Sequence, residues 1–331
     1  MAGRRRKKSG GRSYAWRYRG RIVACVFVEV IIICALVIMI GWNKGVKEWF
    51  EQFEQPVLKE VDISGINSPN AILMQARGGK ILGEINGEAQ IYPASMTKIM
   101  TVILGIESFD DLDEKITLTN EMFTGLYEQD ATQAGFQPGE EVRVIDLLYG
   151  AMLPSGAECC IALADTISGS EADFAELMNK KARKLGMENT HFCDSTGLHN
   201  PDHYSTVKDI AVLMKYCIKN DTFREIVETS RHSTGVTNIH PDGITYYSTM
   251  FKNLSDPTVT GGKILGGKTG YTSEAGHCLV SFAEIEGREY IFVSAGASGA
   301  DGNTIPHIQD AVTVYNRVGA AIEAKMNDNN K

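Results

Sequence analysis

Nineteen consecutive residues, Ile22 to Ile40 (IVACVFVEVIIICALVIMI), carry a single charged side chain, Glu29. At about 1.5 Å of rise per residue, such a helix comes close to spanning the roughly 30 Å hydrocarbon layer of a bilayer. Nine Arg and Lys and no acid lie within residues 1–21, and Trp42 follows the apolar run, where an indole favours the interface. Cytoplasmic flanks carry the excess of positive charge. The sequence therefore predicts a cytoplasmic tail over 1–21, a single-pass anchor over 22–42 in a bacterial cell membrane, and everything beyond on the outside. A cleaved signal peptide is the rival reading. It is disfavoured because the apolar run exceeds the usual h-region and no A-x-A site follows. Glu29, if ionised and facing lipid, carries a cost that protonation or a partner helix would relieve.

The chain is −8 overall, so removing the +9 of residues 1–21 leaves −17 for the rest. A body that acidic repels a polyanion, which excludes nucleic acid as a partner. The basic cluster reads as a topology signal, compatible with anionic lipid headgroups. Composition is that of a globular protein, 43% hydrophobic and 22% charged with 33 Gly and 9 Pro, and its length allows a large core. Cys25 and Cys34 fall in the apolar run. Cys159, Cys160, Cys193, Cys217 and Cys278 have no C-x-x-C spacing and read as small buried apolar residues rather than a disulfide framework.

Residues 43–62 are polar with Trp49, Phe50 and Phe53 interspersed, which suggests a stalk. A domain is expected over 63–325, with a polar tail at 326–331. AILMQAR (71–77) and KILGEING (80–87) around Gly78-Gly79 predict a first hairpin, and CLVSFAEI and YIFVSAGA around residues 286–289 a second. Between them, spacing near 3.6 predicts helices over 96–107, 144–152, 157–166, 172–184, 207–219 and 223–229, with a last helix over 305–324. Strands at both ends with helices between require a sheet assembled from distant segments. The fold class is α/β with α+β character, a sandwich with a mostly antiparallel sheet and a helical subdomain.

Three short motifs carry chemistry. In Pro93-Ala94-Ser95-Met96-Thr97-Lys98, Ser95 and Lys98 share one helical face. A serine hydroxyl needs a base within hydrogen-bond reach, and a lysine serves if burial or nearby charge lowers its pKa. Leu153-Pro154-Ser155-Gly156-Ala157-Glu158 stands between two helices, where a loop presents a hydroxyl, and Gly267-Lys268-Thr269-Gly270-Tyr271 precedes a strand. S-x-x-K, then a serine motif, then K-T-G is the order of acyl-serine enzymes that recognise penicillin. PASMTKIMT, LPSGAECCIALAD, TGLHNPDHYST (196–206) and GGKTGYTSEAGHCLVSFA together resemble the low-molecular-mass penicillin-binding proteins, specifically the serine-type D-alanyl-D-alanine carboxypeptidases, from about residue 65 to 320.

That resemblance implies a β-lactamase/transpeptidase-like fold and no cofactor or metal. It implies that Ser95 attacks the carbonyl between two terminal D-alanines of a peptidoglycan stem peptide, that Lys98 takes its proton, and that Ser155 relays a proton to the leaving amine. Lys268 and Thr269 would hold the terminal carboxylate, Lys268 also keeping Lys98 neutral. Gly270 would let the strand approach the substrate. The backbone N–H groups of Ser95 and Tyr271 would form the oxyanion hole. β-Lactams would acylate Ser95 as slow substrate mimics. The family usually has Asn where Ala157 stands, so a weakly catalytic or purely penicillin-binding wall protein is the alternative, with Glu158, a water or another donor as the replacement for the missing amide.

Three other patterns point elsewhere. Gly262 to Thr269 matches G-x-x-x-x-G-K-[ST], but the polar residues upstream and the expected turn over 270–276 do not fit a strand opening a phosphate-binding helix, so nucleotide is not expected. His199 and His203, with Asp194, Asp202 and Cys193 nearby, have a zinc-like spacing, but Gly197 and Pro201 argue for structural loop histidines. A class A β-lactamase would need S-D-N at the second motif and a deacylating glutamate, neither of which is found.

Overall fold

Alternation with a period of two sends neighbouring side chains of each central strand into two different cores. The computed structural model describes residues 58–299 and 305–329. The expected tail (1–21), the expected anchor (22–42) and stalk residues 43–57 lie outside the described residues. Among the described residues, no helix is long and apolar enough to cross a membrane.

The first hairpin pairs β1 (Asn70–Gln75) with β2 (Ile81–Ile85), and the last pairs β9 (Gly276–Ile285) with β10 (Arg288–Ala297). With β7 (Thr258–Val259) and β8 (Gly262–Thr272) they form one antiparallel sheet in the order β2-β1-β10-β9-β8-β7. β1 therefore sits beside β10, so the two ends of the described chain meet in the middle of the sheet. Ile72, Met74, Val280, Phe282, Ile291 and Val293 face one core, while Ala71, Leu73, Leu279, Ala283, Tyr290 and Phe292 face the other.

The first core is filled by the helical part: α1 (Lys98–Ser108), α2 (Val144–Met152), α3 (Ala157–Ser168), α4 (Glu171–Leu185), α5 (Val207–Cys217) and α6 (Asp221–Glu228). Ser170, Thr206 and Asn220 cap α4, α5 and α6 by accepting from the backbone N–H three residues on. The second core is closed by α8 (Pro306–Asn329), whose Val314, Tyr315, Val318 and Ile322 are buried against the sheet. α8 continues past the helix expected to end at 324 and takes in residues 326–329 of the expected polar tail. A short helix, α7 (Thr249–Asn253), lies beside β8, and two small pairs, β3 (Lys115–Thr117) with β4 (Glu141–Arg143) and β5 (Arg231–Ser233) with β6 (Thr245–Tyr247), complete the elements the site needs.

Three details differ from the sequence reading. Leu58 and Val61, placed in the stalk, are buried in the second core, and Val61 N donates to Leu82 O at 2.8 Å. β8 was expected only as a turn leading into a strand, yet Lys268-Thr269-Gly270 lies inside this eleven-residue strand and the turn begins after Thr272. Its signal is concealed by Gly266 and Gly267 and by a bulge between Ile264 and Gly266 that breaks the alternation. Ser95 does not lie in an α-helix. It occupies a 3₁₀ turn, Ala94–Thr97, that leads into α1 at Lys98. Cys159, Cys160, Cys217 and Cys278 are buried free thiols packed in the first core.

The ends are tied by one carboxylate. Asp310, 1% exposed on α8, accepts from Asn67 N (2.8 Å), Asn67 Nδ2 (2.7 Å), Ser68 N (2.9 Å) and Ser68 Oγ (2.6 Å). Replacing it leaves the buried N–H and hydroxyl of Ser68 without an acceptor, along with two Asn67 donors nearer the surface. Asp310→Ala is expected to destabilise the fold by about 3 kcal/mol, measured by denaturant unfolding; a midpoint unchanged from wild type would contradict this role.

Candidate active site

In a 3₁₀ turn residues i and i+3 eclipse one another, so the S-x-x-K spacing lines up Ser95 with Lys98 more closely than an α-helix would. Lys98 Nζ donates to Ser95 Oγ at 3.1 Å and to Thr196 O at 2.6 Å. Ser155 Oγ donates to Ser95 Oγ at 3.0 Å from the loop between α2 and α3. Ser155 is held at φ 74, a left-handed conformation that costs a non-glycine residue about 1–3 kcal/mol and persists only where the surroundings enforce it. The flanks supply that enforcement: Leu153 N donates to Tyr149 O and Gly156 N to Gly150 O.

The β8 bulge brings the third motif to the same place. Residues directly opposite on neighbouring strands share a face. Ile264 is opposite Ala283 and faces the second core, whereas Lys268 is opposite Val280 and faces the first. Were Leu265 paired in regular alternation instead of bulged, Lys268 would fall opposite Leu279, share the face of Ile264 and point away from Ser95. Lys268 is 1% exposed, and its pKa is lowered to about 7, first by burial and then by the charge of Lys98. Its Nζ donates to Thr269 O at 3.1 Å. Thr269 Oγ1 shares a 2.7 Å hydrogen bond with Thr249 Oγ1 on α7.

Gly270 also meets a packing constraint that the sequence does not show. A Cβ there would lie 3.0 Å from Ser95 N, 3.1 Å from Ala94 Cβ and 3.2 Å from Pro93 O. The missing side chain lets β8 press against the backbone of the Ala94–Thr97 turn itself, which places the Ser95 and Tyr271 segments side by side. Tyr271 is 61% exposed, and its ring lies against His277.

The loop of the fourth motif, whose histidines also have a zinc-like spacing, completes the cradle. Asp194 Oδ1 accepts from Thr196 N, Thr196 Oγ1 and Gly197 N, each at 2.7 Å. Burial alone would raise the Asp194 pKa, but these bonds and His203 outweigh it and pull it to about 2. His203, 2% exposed, lies 2.9 Å through Nε2 from Thr97 Oγ1 and 3.2 Å through Nδ1 from Asp194 Oδ2. Thr101 Oγ1 donates to Ser195 O at 2.6 Å, and Ser195 Oγ to Glu171 Oε1 at 2.5 Å. The result fixes the Thr196 carbonyl that holds Lys98. His199 instead packs edge-on against Tyr92, so the two loop histidines serve different neighbours.

Glu158 does not stand in for the missing amide at position 157. Its Oε1 accepts from Ala134 N (2.6 Å) and Gly135 N (2.9 Å), and it makes no hydrogen bond to Ser95, Lys98 or Ser155. Burial raises its pKa, backbone N–H groups offsetting only part of that, and its buried Oε2 has no partner. Ala157 is itself buried, its N–H donating to Thr132 O at 2.8 Å, so this side of the motif is committed to packing against residues 131–136.

Residues 57–299 match the family described as D-alanyl-D-alanine carboxypeptidase, peptidases S11. The chain belongs to this family. It is 35% identical over 233 residues to the D-alanyl-D-alanine carboxypeptidase DacF of Bacillus subtilis, covering 69% of this chain and 57% of that protein. It is 34% identical over 235 residues to the D-alanyl-D-alanine carboxypeptidase of Streptomyces sp. K15, covering 69% and 78%. The crystal structure of the Streptomyces K15 DD-transpeptidase superposes with a TM-score of 0.69 at 29% identity, covering 79% of this chain and all of that one. The chain spans a little over half the length of DacF and of the DacC carboxypeptidase of Escherichia coli. The fold is therefore the mixed α/β fold of the DD-peptidases, with its antiparallel sheet and helical part.

Glu158→Gln keeps an acceptor for Ala134 and Gly135 and is expected to leave the rate of acylation by penicillin close to wild type. Glu158→Ala is expected to cost about 1–3 kcal/mol of stability. A large loss of acylation in the folded Gln variant would show that the carboxylate takes part in the chemistry.

Proposed function

We propose that this protein is a serine D-alanyl-D-alanine carboxypeptidase that trims the terminal D-alanine from peptidoglycan stem peptides and is inhibited by β-lactams. The observation that carries the reading is Ser95 Oγ held between Lys98 Nζ and Ser155 Oγ, at 3.1 and 3.0 Å, on a surface shared with Lys268.

The electrostatics support a substrate-assisted start. Lys98 and Lys268 repel one another in a buried site, so the pair resists carrying two charges. A substrate carboxylate placed at Lys268 and Thr269 favours the charged form of Lys268. Ser95 Oγ then attacks the carbonyl carbon of the penultimate D-alanine while its proton passes to Lys98 Nζ. The oxyanion develops against the N–H groups of Ser95 and Tyr271, at the start of the nucleophile turn and on β8. Collapse breaks the C–N bond, and the proton moves from Lys98 through Ser155 to the leaving amine. Water, deprotonated by Lys98, hydrolyses the Ser95 ester.

The basic run in 1–21 and the apolar run in 22–42 support anchoring to the bacterial cell membrane with the catalytic part outside. Neither nucleic acid nor nucleotide has a place in this reading. The P-loop-like residues 262–269 lie in β8, whose next element is β9 rather than a helix.

The deciding assay is D-alanine release from an N-acylated Lys-D-Ala-D-Ala peptide beside labelling by a fluorescent penicillin. Both are expected for the wild type. Labelling without release would indicate a penicillin-binding role instead. Ser95→Ala is expected to abolish labelling and lower turnover by about 10³-fold or more, and persistent labelling would show the nucleophile to be misassigned. Because anchoring the carboxylate needs a proton on Lys268, kcat/KM is expected to fall as pH rises through about 7. The methyl ester of the same peptide, which lacks the carboxylate, should show a smaller fall. Identical profiles for acid and ester would contradict the anchor.

A further inference from the structure

Against the loop that carries Ser155 lies a cavity of about 530 Å³ that none of the steps above uses. Ala134, Pro154, Tyr246, Tyr247, Thr249 and Lys252 line it. Two of these tie it to a known side of the reaction. Pro154 precedes Ser155, which passes the proton to the leaving amine. Thr249 is hydrogen-bonded to Thr269, which holds the carboxylate of the leaving residue, and Thr249 N donates to Leu153 O at 3.0 Å.

The direction of β8 makes the same point. Gly270 abuts Ser95, so the scissile carbonyl lies level with Gly270. With the carboxylate at Lys268 and Thr269, the leaving residue extends toward the start of β8 and the acyl portion toward Tyr271. The cavity, walled by α7 and the loop before Ser155, therefore lies beyond the leaving residue.

A D-alanine methyl group needs none of this space, which has the size of a small-molecule site. The lining is mainly apolar, with one cation at its edge. Lys252 is exposed and has no ion-pair partner among the described residues, and Tyr247 is 56% exposed beside it. We infer that the cavity between Pro154, Tyr247 and Lys252 is a leaving-group subsite that admits D-residues larger than alanine, favouring an acidic side chain that reaches Lys252. The bond broken is the same: the C–N bond to the leaving amine, which departs with the proton from Lys98 and Ser155. This inference rests on the carboxypeptidase reading and extends it from one leaving amino acid to a class of them.

The test uses three peptides, diacetyl-Lys-D-Ala-X, with X as D-alanine, D-glutamate or D-lysine. The wild type is expected to cleave the D-glutamate peptide about fivefold better than the D-lysine peptide, as one partly exposed ion pair allows. Lys252→Glu should invert that rank, and Lys252→Gln should flatten it. Penicillin labelling of each variant verifies an intact site, so the Gln variant decides the matter if the Glu variant does not label. Release of D-alanine by the wild type, with D-glutamate and D-lysine ranked alike in all three proteins, would overturn the subsite. Failure of the wild type to release D-alanine would overturn the carboxypeptidase reading itself.

Discussion

The 2.6 Å hydrogen bond from Lys98 Nζ to the Thr196 carbonyl is the contact on which the rest of the site depends. A catalytic amine has to be buried to act as a base, and a buried amine has to be held or it turns to the nearest acceptor. A backbone carbonyl can hold it without adding a charge that would fix it as an ammonium. The difficulty moves to the carbonyl, which needs a loop rigid enough to present it. Asp194, His203, Thr97 and Thr101 provide that rigidity by linking residues 194–197 to α1, the helix that carries Lys98. Lys98 and the carbonyl that holds it are parts of one hydrogen-bonded body.

Lys268 answers to a different constraint. It enters from the sheet, and only the bulge at Leu265 turns its side chain toward the helical part. The two lysines thus reach one site from two bodies, and the charge of the first lowers the pKa of the second. That coupling makes the site responsive to a carboxylate before any covalent step, because an anion beside Lys268 offsets the burial and the repulsion that lower its pKa.

Much of this was legible in the sequence. The two hairpins, the helices from 144 to 228 and the three motifs each have a local signature in alternation, in 3.6 spacing or in residue type. β8 was not legible, because its glycines and bulge erase the period that marks a strand and its pairing depends on β9 and β7. The placement of Leu58 and Val61 was hidden for a similar reason. Two apolar residues in a polar stretch acquire meaning only when an edge strand arrives to cover them. Glu158 looked available to the chemistry because it is adjacent to the motif in sequence. The helix turns it instead toward the backbone at 134 and 135. Thr249 had no local signature at all.

The pairing of β1 with β10 has a consequence for how the protein comes into being. Contacts across more than two hundred residues, such as those from Asp310 to Asn67 and Ser68, impose a high contact order and a slow closing step. The helices between the hairpins hold Ser95, Lys98 and Ser155, and their contacts are mostly nearer in sequence. A chain emerging from its N-terminus can order that part first, yet it has no Lys268 to work with until β8 docks and no closed sheet until β10 finds β1. The full set of site residues therefore comes together only once β8 has docked, well after the Ser95 turn has been made.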